Sequence, residues 1–341
     1  MKNKALLCII AAISLNAAAE TKLRVGDSFP NEHFIVQKLT RPWIERIKQL
    51  AGSELKLEYY PAEQIGKAKD LLSLTSTGVI DIGYVAPAFV GDKMPLSVVA
   101  ELPLDFKSSC EGTPAFQRMA APGGILDKQE FAPNGVRLLW TVVLPPYQLM
   151  TAPKVKFENL KSIEGLRVRV TGGAKELAVR KLGAAPVQIP SPEVYEAMMR
   201  GTVDGAIFPF TSVFSYGVEK IINASTVGEN FGSFVVTYVI NERKWRALSP
   251  ELQKAITQAS EEIQNVACKV ADDEDNDNIR RLEEMGWRMV KFSDEDHQEL
   301  RRRLDPVASE WAQTLDKRGK PGTQVLKEYQ ENLLKTKDLQ R

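Results

Sequence analysis

The segment Gly165-Leu166-Arg167-Val168-Arg169-Val170 reads as a strand that carries two guanidinium groups two residues apart and runs into a Thr171-Gly172-Gly173 turn. A guanidinium at the end of a strand can hold a carboxylate by two parallel charge-assisted hydrogen bonds, a geometry that lysine cannot reproduce. Arg169, just before the strand's last residue, is the candidate for that role; the competing reading is an intramolecular salt bridge. Strict alternation gives Arg167 the same face. Backbone N–H groups at Thr171-Gly172-Gly173, ahead of a helical segment, can receive an anion, although a plain tight turn is the simpler reading. Covalent chemistry finds little to work with. The chain has no Gly-x-Ser-x-Gly elbow, no Walker-type phosphate loop, no Gly-x-Gly-x-x-Gly and no His-Glu-x-x-His. Its two histidines, His33 and His297, leave little room for a histidine-based metal centre or triad. No pair of carboxylates stands out either, so neither catalytic residues, nor a metal, nor a cofactor is expected.

Composition bounds the class of chain. The 341 residues are 43% hydrophobic and 26% charged, with 45 Lys and Arg against 44 Asp and Glu. That is the profile of a soluble globular chain of about two domains, and it excludes a disordered tail or a polytopic membrane protein. Residues 1–19 form a secretory signal: Lys2 and Lys4, an apolar run from Ala5 to Leu15, then Asn16-Ala17-Ala18-Ala19, with cleavage expected after Ala19. A retained interfacial anchor or an ordinary N-terminal helix is the alternative. Cleavage leaves 43 basic against 44 acidic residues, a charge of −1, and nothing in that balance recommends nucleic acid as a partner. It also removes Cys8 and leaves Cys110 and Cys268, 158 positions apart and far from any zinc-type spacing. In an oxidising compartment these two can form a disulfide, and two buried free thiols are the equal alternative.

The elements that must position these residues follow a repeated order. Strands are expected over residues 22–26, 55–60 and 79–85, with helices over 33–50 and 67–77 between them. Gly52 and Gly78 stop those helices, and Pro42 should kink or split the first. The order returns at 165–170, 174–182, 185–189, 192–200 and 203–208, where Ser191-Pro192-Glu193 has the grammar of a helix start, Ser as N-cap and Pro at the first helical position. Two such βαβαβ units predict two α/β lobes built on parallel sheets with right-handed crossovers. Ser249-Pro250-Glu251 opens a long helix reaching about Met285, with a break expected in the polar stretch from Asp272 to Asn278.

Gly165 to Val170, Leu182-Gly183-Ala184-Ala185-Pro186-Val187, Glu193-Val194-Tyr195-Glu196-Ala197 and Gly201-Thr202-Val203-Asp204-Gly205 together closely resemble the core signature of the extracytoplasmic solute receptors of TRAP transporters, the DctP family. Leu57-Glu58-Tyr59-Tyr60-Pro61 with Gln64-Ile65-Gly66, and Gly78-Val79-Ile80-Asp81-Ile82, are similar to earlier family segments, so the resemblance runs over nearly all of residues 22–330. It implies the two-lobed α/β fold of periplasmic binding proteins (the Venus-flytrap architecture), with crossing strands and a long helix bracing both lobes. By matching segments, lobe I is expected at residues 20–146 plus 234–273 and lobe II at 147–233 plus 274–341. Such receptors close over solute by a hinge and hand an organic acid to TRAP membrane permease subunits without altering it. The resemblance therefore implies a periplasmic location and no enzyme activity. Some relatives pair through C-terminal helices, but Arg301-Arg302-Arg303 looks like a solvated helix face, and a monomer is expected.

Arg169 matches the family's selectivity arginine, whereas Arg167 stands where relatives carry another cation or a polar residue and is read as a surface charge. Sialic-acid receptors of the family have a second arginine near Tyr147-Gln148-Leu149, an acid near Ala86, and a polar amide where this chain has Phe208. These departures remove polar partners and add aromatic area, so a sugar acid would leave too many hydroxyls unpaired. A small monocarboxylate with an apolar or aromatic body is the expected ligand. Phe208 and Phe210 are the candidates to pack on it, one of the two being core if they do not share a face. Tyr147, Gln148, Tyr84 and Ser28 are the candidate polar contacts. His33 either lines the cleft mouth or makes a local hydrogen bond at a helix start. A C4-dicarboxylate is the alternative solute; it would want a second cation from Arg137, Lys154 or Arg167. A module that presents solute to a membrane sensor would need the same cleft, and a secreted hydrolase or lyase on a similar fold is the enzymatic alternative.

Overall fold

The computed structural model describes residues 21–340, and the export signal expected over residues 1–19 lies outside them. β1 (Thr21–Gly26) turns Leu23 and Val25 inward. The expected helix that follows begins as a wide π-type turn, Ile35–Thr40, and settles into α1 (Arg41–Ala51) with Pro42 in its first turn. The element thus divides just ahead of Pro42, where an α-turn would press the proline ring on the carbonyl four residues back. β2 (Leu55–Tyr60), α2 (Leu71–Thr77) and β3 (Ile82–Val85) complete the first unit. Gly78 ends α2 at φ 81°, a backbone region open to glycine. α3 (Ser109–Ala120) and β4 (Val136–Val143) follow.

The chain then crosses to the second unit: β5 (Gln148–Thr151), β6 (Arg167–Val170), α4 (Ala174–Lys181), β7 (Ala185–Gln188), α5 (Val194–Met199), β8 (Gly205–Phe208) and β9 (Ala224–Thr226). It returns as β10 (Val235–Asn241), α6 (Glu242–Ala247) and α7 (Pro250–Glu284), then ends with β11 (Arg288–Val290), α8 (Asp294–Lys317) and α9 (Gly322–Gln340). The strands form two sheets, ordered β2-β1-β3-β10-β4 and β11-β9-β5-β8-β6-β7. This is the expected two-lobed α/β architecture, with one correction to the sheets. β1 is parallel to β2 and β3, and β6 to β7 and β8, as the βαβ order requires. β10 in one sheet and β5 in the other run antiparallel to both their neighbours, because these strands enter from the crossings rather than from a helical crossover.

α7 has 35 residues and, at 1.5 Å per residue, is about 50 Å long. It starts as expected, with Ser249 Oγ accepting from Leu252 N–H, but it does not break between Asp272 and Asn278. Those polar side chains serve neighbouring backbone: Asp272 accepts from the N–H groups of Ser109 and Cys110, and Asn278 Nδ2 donates to the Phe210 carbonyl at 3.1 Å. The polar stretch thus supplies partners to the start of α3 in the first half and to the turn after β8 in the second. A disulfide joins Cys110 on α3 to Cys268 on α7, Cα atoms 4.7 Å apart. α9, grouped with lobe II on sequence, packs on α3 as well as α8: Arg118 donates to Thr336 and Lys337 pairs with Asp105. It touches both halves because its buried stripe, Val325, Tyr329 and Leu333, needs a surface that α8 alone does not cover.

Candidate solute-binding site

β6 places Arg169, its side chain fully buried, directly behind Ser191 and Phe208, two residues that line a cavity between the two sheets. Nε donates to the Ile189 carbonyl at 2.8 Å, Nη1 to the Ile207 carbonyl at 3.2 Å and Nη2 to Ser191 Oγ at 2.9 Å. Among the described residues no carboxylate lies within ion-pair distance of it, so the competing salt-bridge reading does not hold. A guanidinium carries five N–H donors; three are spent on the protein, leaving one on each terminal nitrogen. Burial without an anion pushes its pKa down to about 10, which keeps it charged at neutral pH. Arg167, by contrast, points to the surface and meets Asp204 in two hydrogen bonds of 3.0 and 2.9 Å. That contact holds the Asp204 carboxyl well below the usual carboxylate range.

Ser191 was expected to cap a helix. Instead it is the first residue of a short 3-10 turn, Ser191–Glu193, with no side-chain cap, and its hydroxyl is turned to the guanidinium. The turn after Arg169 is tight: Gly172 has φ 108°, and a Cβ there would stand 2.5 Å from Gln188 Nε2. That φ favours glycine, while the Gln188 side chain, which is exposed, could move aside.

The cavity walls come from three places. Ser28, Phe29 and Tyr84 face it from the first half, Phe208, Ser212 and Tyr216 from the second, and Leu144, Tyr147 and Phe234 from the crossing segments. Phe208 lies under the guanidinium, 5.4 Å from Arg169 Cζ to the ring centre. The inner space is nearly closed: ≈ 10 Å³ is open to the centre of a water-sized sphere, room for about one water. The adjoining mouth between Lys67, Phe89, Thr171 and Gln188 has ≈ 350 Å³ on the same measure.

Four of the sequence candidates, Ser28, Tyr84, Tyr147 and Phe208, meet Arg169 around this cavity. Gln148 does not join them. Its Nε2 donates to the Glu229 carbonyl at 2.6 Å and its Oε1 accepts from Thr226 Oγ1 at 2.8 Å, so the amide is used to bind the crossing segment. Phe210 is buried and faces the groove behind the crossing, not the cavity. The chain turns at Pro209, so residues 208 and 210 do not share a face. His33 is fully buried between the halves. Its Nδ1 accepts from Ile35 N–H at 3.2 Å, which puts the ring proton on Nε2, 2.9 Å from Ser212 Oγ across the cleft. The ring stacks on Phe29 at 4.2 Å, and burial pushes its pKa down to about 3, so it is neutral. Phe29, Ser212, Tyr216 and Phe234 escaped sequence reasoning; only Phe29, beside Ser28, carried a positional signal.

A second tie joins the halves. Lys175 on α4 reaches Glu101 of the first half at 2.6 Å, both fully buried, and the ammonium lies 5.6 Å from the Tyr147 ring centre and 5.9 Å from that of Phe234. Burial pushes Glu101 up and Lys175 down, and each opposes the other's shift with its charge.

A two-lobed α/β protein with an interlobe cavity built on one unpaired buried arginine is a solute-binding protein in its architecture. The chain belongs to the bacterial extracellular solute-binding protein family 7, DctP, whose profile matches residues 25–314. It is 24% identical to the 2,3-diketo-L-gulonate-binding periplasmic protein YiaO of Escherichia coli K12 over 82% of this chain and 84% of that one. Among solved structures it matches a marine metagenome TRAP solute binding protein specific for aromatic acid ligands, in complex with metahydroxyphenylacetate, at TM-score 0.85 and 22% identity over 93% of this chain and 99% of that one. A TRAP solute binding protein from Rhodoferax ferrireducens T118, with copurified benzoate, matches at TM-score 0.83 and 21% identity over 94% and 100%. Family membership makes this chain a solute receptor, not an enzyme. Among the described residues no helix is long and apolar enough to cross a membrane.

Proposed function

We propose that the chain is the extracytoplasmic receptor of a TRAP-type secondary transporter and that its solute is a small monocarboxylate with an aromatic body. The observation that carries this reading is the buried Arg169, which has no acidic partner and keeps two N–H groups free beside aromatic rings. A solute carboxylate would complete its hydrogen bonds in the bidentate geometry arginine favours. The cavity as it stands admits about one water, so the halves would have to part to take the solute, and Phe208, Phe29 and Tyr84 would then offer ring faces and edges to an aromatic tail. The ligands of the benzoate and metahydroxyphenylacetate complexes are of the same chemical class.

The cations that the dicarboxylate alternative would call on from the sequence are already paired. Arg137 is paired with Glu242 at 2.9 Å, while Lys154 and Arg167 both pair with Asp204. Lys175, nearest the cavity, is neutralised by Glu101. In the same reading the protein is exported by residues 1–19 and works in the periplasm as a monomer that docks on the permease subunits. Lobe I takes residues 20–146 plus 234–273 and lobe II 147–233 plus most of 274–341, with closure about the crossing segments. A thermal-shift screen against organic acids tests the class: stabilisation by aromatic monocarboxylates and not by succinate or sugar acids is expected, and the reverse pattern would overturn it.

A further inference from the structure

The cavity holds more unpaired hydroxyls than a bare carboxylate can satisfy. Around Arg169, Ser191 Oγ is taken by the guanidinium and Ser212 Oγ by His33. The phenol groups of Tyr147, Tyr216 and Tyr84 make no hydrogen bond among the described residues, and neither does the Ser28 hydroxyl. Tyr147 and Tyr216 lie near enough to the guanidinium for its charge to act on them, so their hydroxyls can donate to the outer lone pairs of a carboxylate on Arg169. Tyr84 and Ser28 stand elsewhere. They belong to β3 and to the end of β1 in the first sheet, whereas Arg169 is on β6 of the second. Tyr84 is almost fully buried, its ring set between Phe29 at 4.6 Å and Tyr238 at 6.0 Å. Tyr238 cannot relieve it, because that hydroxyl is shared between Asp27 and Thr40. Burial keeps the Tyr84 phenol neutral, with one O–H to donate and lone pairs to accept. A solute held by its carboxylate on one wall therefore meets an unsatisfied hydroxyl on the other.

We propose that the solute carries a hydroxyl on its ring, or one carbon from it, remote from the carboxylate-bound end, and that Tyr84 is the residue that selects for that hydroxyl, with Ser28 beside it. This rests on the aromatic-acid reading of the same cavity. A site that hydrogen-bonds a substrate hydroxyl rejects the analogue lacking it because its own polar group is left unpaired.

The test crosses solute with variant. Calorimetry measures benzoate, 3- and 4-hydroxybenzoate, phenylacetate and 3- and 4-hydroxyphenylacetate against the wild-type chain, Tyr84→Phe and Ser28→Ala. At least one hydroxylated acid should bind about 10-fold tighter than its parent. Tyr84→Phe should reduce that advantage to about 2-fold or less, read as the ratio of the hydroxylated acid to its parent on the same variant. The methyl ether of the preferred acid should lose the advantage on the unaltered protein, a check that needs no variant to fold. Parent acids that bind as tightly as every hydroxylated one, or an advantage that survives Tyr84→Phe and falls only in Ser28→Ala, would overturn the assignment while leaving the aromatic-acid reading intact. Wild-type protein that binds none of these acids overturns the reading and the proposal together.

Discussion

The guanidinium carbon of Arg169 lies 5.4 Å from the centre of the Phe208 ring, so the cation of the cavity and an aromatic wall form one unit. The ring gives the charge a favourable face without neutralising it, and the charge remains available to an anion. A salt bridge at the same place would have satisfied the arginine and closed the site to carboxylates.

Replacing Arg169 therefore separates binding from stability. Arg169→Ala and Arg169→Lys should each weaken aromatic-acid binding by about 30-fold or more, since removing one partner of a buried charged pair costs about 2 kcal/mol or more. Lysine should fail because it offers one point charge where two parallel donors are needed. The solute-free melting temperature should move by only a few degrees, because three lost hydrogen bonds are offset by removal of a buried, unpaired charge. Calorimetry and differential scanning fluorimetry on the same samples check both halves; near wild-type affinity in either variant would refute the clamp.

The tie between Lys175 and Glu101 predicts a different pattern. Each partner is fully buried, so Lys175→Met alone leaves an unpaired carboxylate and Glu101→Leu alone an unpaired ammonium. Single changes should destabilise by about 3 kcal/mol or more, and the double change Lys175→Met with Glu101→Leu by less than either. Chemical denaturation of the four proteins gives the coupling. Additive losses would mean that the pair acts only through packing.

The parts of the fold that the chain made legible are those where a local rule and the tertiary structure agree. Gly78 at φ 81° and Ser249 capping Leu252 N–H are such cases, since each feature acts within one turn of the backbone. The polar run at Asp272–Asn278 misled because its partners, Ser109, Cys110 and Phe210, are remote in sequence. The site divided in the same way. Arg169 is visible from its strand and turn, whereas Tyr84, Tyr147 and Phe208 are reached only by matching segments to the family. Gln148 was read as a solute contact on residue type, but its amide is spent on Glu229 and Thr226, across a crossing no periodicity announces. Ser212 and Tyr216 follow a strand whose exit direction is set only when the two halves meet.

The disulfide between Cys110 and Cys268 joins α3 to the half of α7 that packs on the first sheet, so it staples one lobe and does not bridge the cleft. It closes a loop of 158 residues, for which loss of chain entropy in the unfolded state corresponds to about 2–5 kcal/mol. Cys110→Ser with Cys268→Ser should lower the denaturation midpoint accordingly and leave solute affinity within about 2-fold. A large loss of affinity with an unchanged midpoint would show that the bond controls closure instead.

His33 gives closure a pH dependence whose sign can be worked out. In the closed form the ring is neutral, with its pKa pushed down to about 3, and its Nε2–H is held by Ser212 Oγ of the other half. Opening returns the ring to water, where the ordinary value of 6.5 applies. A base whose pKa is lowered in the closed form contributes fully above 6.5, and its contribution falls as acid protonates the open form, by about 1.4 kcal/mol per pH unit down to about pH 3. Asp27 works in the opposite direction but on a different equilibrium. Burial raises its carboxyl to about 6, which opposes global folding as pH rises from 3.8 to that value. Its partners Tyr59 and Tyr238 lie in its own half, so opening the cleft leaves them together. Solute affinity should therefore be flat from pH 8 to 7 and fall by up to about 10-fold between pH 6.5 and 5.5, for a solute that stays ionised throughout. His33→Gln, which can still donate to Ser212, should remove most of that fall. Calorimetric titrations across this range decide it: a wild-type affinity that stays flat to pH 5.5, or the same fall in His33→Gln, would show that the histidine does not couple protonation to closure.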